Sequence, residues 1–158
     1  MRLAVGDPAP DFALPDATGR IVRRSDFATR RLVLYFYPAD LTPGCTTEAC
    51  EFNDELATLG HLGTAVVGVS PDPAARHQEF IARHGLTFPL LSDLDRSVMR
   101  AYGAYGEKVL YGKTVTGVIR STFVVGPTGL LEHVWYGVRA SGHAARVRAA
   151  LTATAGAS

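Results

Sequence analysis

Cysteine is scarce in this chain: Cys45 and Cys50 are the only two in 158 residues. That excludes a disulfide-stapled scaffold, which needs several pairs. It also leaves no second cysteine pair to complete a zinc site of about four ligands. The five histidines (His61, His77, His84, His133 and His143) are dispersed along the chain and read as solvated surface residues. Blocks of five or six like charges are missing, and sixteen basic residues nearly balance fifteen acidic ones, so nothing predicts a grip on nucleic acid. Apolar runs stop far short of the roughly twenty residues that cross a bilayer. The opening, MRLAVGDPAPDF, reaches acidic and proline positions before any apolar stretch of secretory length. These absences lead us to expect a cytoplasmic protein with no membrane and no nucleic-acid partner.

What is present is enough apolar material for a core: 47% of residues are hydrophobic, and the length suits one domain over residues 1–158. Residues 12–24 alternate around PDATGR and predict a short hairpin, followed by Ser25 as a helix N-cap. RLVLYFYP (31–38) and TAVVGVS (64–70) are short apolar, β-branched and aromatic runs that suit strands buried on both faces. Between them, Thr42 sits at a cap position, Pro43 at the first helical position and Gly60 at a C-terminal stop. DPAARHQEFIARHG predicts a helix with Ala75, Phe80, Ile81 and Ala82 on its apolar face and Gly85 as its end. FPLLSD then suggests a strand, RSVMRAYG a short helix, STFVVGPTGLLEHVWY a hairpin turning on Pro127–Gly129, and SGHAARVRAALTATAG a closing helix. Strands alternating with helices, plus a late hairpin, predict an α/β chain with a central mixed sheet flanked by helices and an N-terminal hairpin, consistent with a thioredoxin-like fold.

The segment DLTPGCTTEAC holds both thiols and admits three readings: a structural staple, half of a metal site, or a reaction centre. The metal reading lacks partner ligands. The staple reading meets a geometric objection, because five residues along an α-helix separate Cα atoms by roughly 8 to 9 Å, beyond the usual disulfide span of about 4.4 to 6.8 Å. Cys45, in the first turn of the predicted helix, has unpaired N–H groups and the positive end of the dipole beside it, both of which favour a thiolate. Cys50 lies deeper in the helix and lacks that help. Pro38 and Thr42 have plain readings as a strand terminator and a helix N-cap. Arg120 is read equally well as an exposed strand-edge residue or as a functional one.

YFYPADLTPGCTTEAC resembles the active-site segment of the peroxiredoxins, Pro-x-x-x-Thr-x-x-Cys, with Pro38, Thr42 and Cys45 filling the pattern. The cysteine five positions on narrows the resemblance to the peroxiredoxin Q, or bacterioferritin comigratory protein, subfamily. GDPAPDFALPDATG, VVGVSPD, FPLLSD and YGEKVLYGKTVTGVIRSTFVVGPTGLLEHVW are similar to further parts of that subfamily, so nearly the whole chain is covered.

The resemblance implies a thioredoxin-fold thiol peroxidase. Cys45 would attack hydrogen peroxide or an organic hydroperoxide and become a sulfenic acid. Cys50 would resolve it as an intramolecular disulfide, with Thr42, Arg120 and Pro38 as the remaining active-site residues. A thioredoxin or similar dithiol would be the reductant, the chain would be a monomer, and no cofactor or metal is implied. Two rival readings remain at this point. One is a general thiol–disulfide oxidoreductase, although that chemistry normally uses Cys-x-x-Cys. The other is a redox-sensing or holdase-like interaction protein switched by peroxide.

Overall fold

A computed structural model describes residues 2–156. Its centre is β3 (Arg31–Phe36), a strand of almost uninterrupted apolar residues that pairs in parallel with β4 (Thr64–Ser70) and antiparallel with β8 (Ser121–Val125). With β5 (Leu90–Ser92) and β9 (Leu131–Tyr136) at the edges, the sheet runs β5-β4-β3-β8-β9 and is mixed, as the sequence pattern predicts. Alternation along β3 sends Leu32, Leu34 and Phe36 into one core, and Val33, Tyr35 and Tyr37 into another. The second core is closed by three helices: α1 (Pro43–His61), α2 (Ala74–His84) and α4 (His143–Gly156). The first is closed by α3 (Ser97–Ala101) and by the N-terminal hairpin of β1 (Ala13–Pro15) and β2 (Ile21–Arg23).

Several local expectations are corrected. Ser25 lies inside a 3₁₀ turn, Arg24–Phe27, whose cap is Arg23; the Asp26 carboxylate accepts the Arg23 N–H at 2.9 Å. Gly60 does not stop α1, which continues to His61 and caps at Leu62; Gly63, at φ +67°, then turns the chain where a side chain would be strained. Gly85 does end α2, in the left-handed conformation, with its N–H on the Ile81 carbonyl. On α2, however, Ala75 and Ala82 are exposed, and the buried face is His77 with Phe80. His77 and His143 are both fully buried rather than solvated. A second hairpin, β6 (Tyr105–Leu110) with β7 (Lys113–Val118), also escaped the sequence reading. Its residues are mostly exposed or half-buried, so they carry no sustained in–out alternation to signal a strand.

The aromatic layer beneath α1 sets the spacing of the site. Tyr35 stacks on Phe52 with ring centroids 4.7 Å apart, and its hydroxyl end packs against Gly68 of β4. A Cβ at Gly68 would stand 2.9 Å from Leu90 Cδ2 and 3.0 Å from the Tyr35 hydroxyl, so only glycine fits this close approach. Gly60, by contrast, is helical with nothing within 4 Å of an added Cβ. Chemical denaturation should therefore give opposite signs for one substitution: Gly68→Ala loses about 1–3 kcal/mol through overpacking, whereas Gly60→Ala gains about 0.5–1 kcal/mol of helix stability.

Candidate active site

β3 delivers the chain to the site and stops there. Tyr37 makes the last ladder bond, its N–H on the Val69 carbonyl at 3.0 Å, and half-buried Pro38 has no N–H to extend it. The chain then passes through Leu41, held at φ +66°, and enters α1 with Thr42 as N-cap and Pro43 first. The cap works through the backbone alone: the Thr42 carbonyl accepts the Thr46 N–H, while its hydroxyl donates to the Ala39 carbonyl at 2.8 Å. The hydroxyl therefore does not cap the helix but folds the loop back on itself. Its oxygen lone pairs remain available as acceptors.

Cys45 is the third residue of α1, within the first turn, whose N–H groups have no intrahelical acceptor. Its side chain is almost entirely buried, at 2% exposure, against the apolar layer of Tyr35, Ala49 and Phe52. Arg120, from the junction of β7 and β8, reaches across so that Nη2 donates to Cys45 Sγ at 3.3 Å and Nη1 to Glu48 Oε1 at 2.5 Å. The Arg120 backbone is fixed as well, its carbonyl accepting the Val138 N–H at 3.0 Å. The guanidinium passes close to the backbone of Gly44, where a Cβ would lie 3.4 Å from Nη2, in ordinary van der Waals contact. Burial by itself would lower the Arg120 pKa, but Glu48 and then Cys45 outweigh it and hold the group above its ordinary value.

Glu48 is the residue that sequence reasoning missed. It is completely buried, one oxygen paired with Arg120 and the other, Oε2, without a hydrogen-bond partner. Burial raises its carboxyl to about 7, against the opposing pull of Arg120. The available signal was its spacing, since a position three residues after Cys45 lies on the same face of a helix. His143, at the start of α4, closes the site's far side. It pairs through Nε2 with the Thr122 hydroxyl at 2.7 Å, and burial, then Arg146 and Arg120, lower it to about 4, so it is neutral.

Cys50 also lies in α1, half-buried, and both thiols are free. Burial, then Asp54 on the next turn, raises its pKa. With α1 intact across both positions, helix geometry sets the two Cα atoms roughly 8 to 9 Å apart. The structure thus brings Cys45 and Arg120 together, places Thr42 and Pro38 on the loop leading into the same helical turn, and leaves Cys50 about a turn and a half further along.

Known proteins resemble this chain over most of its length. The AhpC/TSA family model matches residues 5–134. A putative peroxiredoxin of Mycobacterium tuberculosis (strain ATCC 25618 / H37Rv) is 54% identical over 147 residues, covering 93% of this chain and 94% of its own. Peroxiredoxin Bcp of Bacillus subtilis is 39% identical over 145 residues, 92% of each chain. Among solved structures, a cysteine-to-serine mutant of PrxQ from Xylella fastidiosa superposes with a TM-score of 0.91 at 38% identity, covering 98% of this chain and 99% of that one. The Xanthomonas campestris bacterioferritin comigratory protein, studied for its alkyl peroxide reduction activity, superposes at 0.85 with 42% identity over 91% and 92% of the two chains. With the family match running through the helix that carries Cys45 and Cys50 and the β7–β8 junction that carries Arg120, the chain belongs to the AhpC/TSA family, in its peroxiredoxin Q and Bcp branch of thiol peroxidases.

Proposed function

We propose that Cys45 is the peroxide-reacting thiol of a single-domain, monomeric, cytoplasmic peroxidase that acts on hydrogen peroxide and organic hydroperoxides. The observation that carries this reading is the Arg120 guanidinium 3.3 Å from a buried Cys45 Sγ at a helix N-terminus. The thiolate attacks the terminal peroxide oxygen and the O–O bond breaks. The departing oxygen leaves as water or an alcohol once it takes a proton, and the sulfur, oxidised by two electrons, becomes a sulfenic acid. A more acidic thiol is also a weaker nucleophile, so most of the acceleration comes from aligning the peroxide and stabilising the departing charge. Arg120 suits the second task as a fixed cation, and the Thr42 oxygen suits the first as an acceptor for the hydroperoxide O–H. No cofactor or metal takes part.

Cys50 then attacks the Cys45 sulfur, forming the S–S bond and expelling hydroxide, which leaves as water. That step needs the first turns of α1 to unwind, because the helix holds the thiols apart. A thioredoxin-type dithiol restores both thiols by disulfide exchange. Unwinding also returns Glu48 to water. Its folded pKa of about 7 lies above its ordinary 4.5, so the stability it lends the closed helix is fully present below pH 4.5 and lost as pH rises through 7. Opening is accordingly favoured on the alkaline side.

Three measurements test this reading. Arg120→Met lowers the stopped-flow rate constant for peroxide on the order of a hundredfold, by more than any change in thiolate fraction; a fall merely proportional to that fraction would contradict the role of Arg120. Cys50→Ser consumes one equivalent of peroxide and gains one oxygen on Cys45 by mass spectrometry, yet does not turn over with a thioredoxin system; no sulfenic acid on Cys45 would reverse the assignment. In urea titrations between pH 4.5 and 7.5, the stability of Glu48→Gln relative to wild type rises with pH by on the order of 3 kcal/mol, and a pH-independent difference would sink the linkage.

A further inference from the structure

The most heavily bonded residue near the site is neither a thiol nor the arginine but Asp40, in the loop between β3 and α1. Asp40 is fully buried and every polar group it has is engaged. Oδ1 accepts the Tyr37 hydroxyl at 2.5 Å, and Oδ2 lies 2.6 Å from His77 Nδ1. Its N–H donates to Asp72 Oδ2 at 2.7 Å, and its carbonyl accepts Arg76 Nη2 at 3.1 Å. His77 is buried too and rests its Nε2 3.0 Å from the Leu91 carbonyl of β5. A carbonyl only accepts, so Nε2 carries a hydrogen, and a single further proton bridges Nδ1 and Oδ2. The pair is therefore net neutral in either arrangement of that proton, which is what lets it stay dry.

Its location gives this network a purpose beyond stability. The next residue, Leu41, is a branched side chain in the left-handed region, a conformation that persists only where the surroundings over-determine it. Thr42 follows, and its hydroxyl reaches back to Ala39, the residue before Asp40. We propose that Asp40 and His77 are positioning residues for the peroxide reaction: the hydrogen bond between His77 and Asp40 holds Leu41 in place, and so aims Thr42 and starts α1 at the register that puts Cys45 beside Arg120. Neither residue touches the reacting atoms. The inference rests on the peroxidase reading above.

The test uses two variants of equal polarity that keep opposite halves of the network. His77→Asn places an N–H near the Nδ1 position and preserves the bond to Asp40. His77→Gln places one near Nε2 and preserves only the bond to Leu91. Each is made in a Cys50→Ser background, so that Cys45 alone reports, and the rate constant for hydrogen peroxide is measured with the melting temperature. His77→Gln is expected to lose about ten- to a hundredfold in rate, in line with small misplacements of reacting groups, while His77→Asn stays within a few-fold of the parent although its melting temperature also falls. Rates that follow melting temperature, equal losses in both variants, or unchanged rates in both would each overturn the proposal. Should His77→Gln fail to fold, Tyr37→Phe, which removes one hydrogen bond to Asp40, takes its place: a slower reaction supports the proposal and an unchanged one overturns it. A parent protein inert to peroxide would instead defeat the peroxidase reading itself.

Discussion

One guanidinium shared between two partners organises this molecule. Arg120 donates to Cys45 and to Glu48 at once, and both partners lie on the first two turns of α1. The helix, the strand junction that supplies Arg120 and the loop at Val138 that holds its backbone are thereby drawn to a common point. Inside the protein such charge-assisted contacts are strong and also demanding, because a buried charge that loses its partner is costly. Burial lifts the Glu48 carboxyl to about 7 even with Arg120 beside it, so the closed helix carries a desolvation cost once that carboxyl ionises.

The rest of α1 is anchored elsewhere. Phe52 stacks on Tyr35, and Asn53 bonds both the Gly85 carbonyl and the Thr87 N–H, so from these residues onward the helix is tied to the sheet and to the end of α2. Ahead of them Cys45 and Glu48 are buried and both tied to Arg120, and Glu51 accepts the Gly142 N–H at 2.9 Å. The polar ties of the stretch that holds Cys45 and Cys50 therefore run to Arg120 and Gly142, and these are the bonds that the proposed unwinding has to release.

Much of this was legible in the sequence, for a definable reason. Pro38, Thr42, Pro43 and Cys45 lie within eight residues, so their relation is local and a linear pattern conveys it. The central strands were legible because burial on both faces leaves unbroken apolar runs. Glu48 was within reach by helical spacing, yet a glutamate in a helix normally faces water, and only Arg120, 72 residues away, makes its burial tolerable. His77 and His143 were misjudged for the same reason. Their partners, Asp40, Leu91 and Thr122, come from other elements, and nothing in their neighbours along the chain announces them. The β6–β7 hairpin failed differently, because strands that bury little leave little pattern to read.

The two buried clusters divide the labour on either side of Thr42. On one side, the closed hydrogen-bonding of Asp40 with Tyr37, Asp72, Arg76 and His77 leaves no polar group of Asp40 unpaired and so has nothing to gain from moving. On the other, the Arg120 cluster holds a buried carboxyl that burial lifts to about 7. A fully satisfied polar network rigidifies what it holds. In the cycle proposed above, the first cluster keeps the loop before α1 fixed while the opening turns that carry the second unwind, so that Cys45 returns to the same position beside Arg120 without a fresh search for the register of the site.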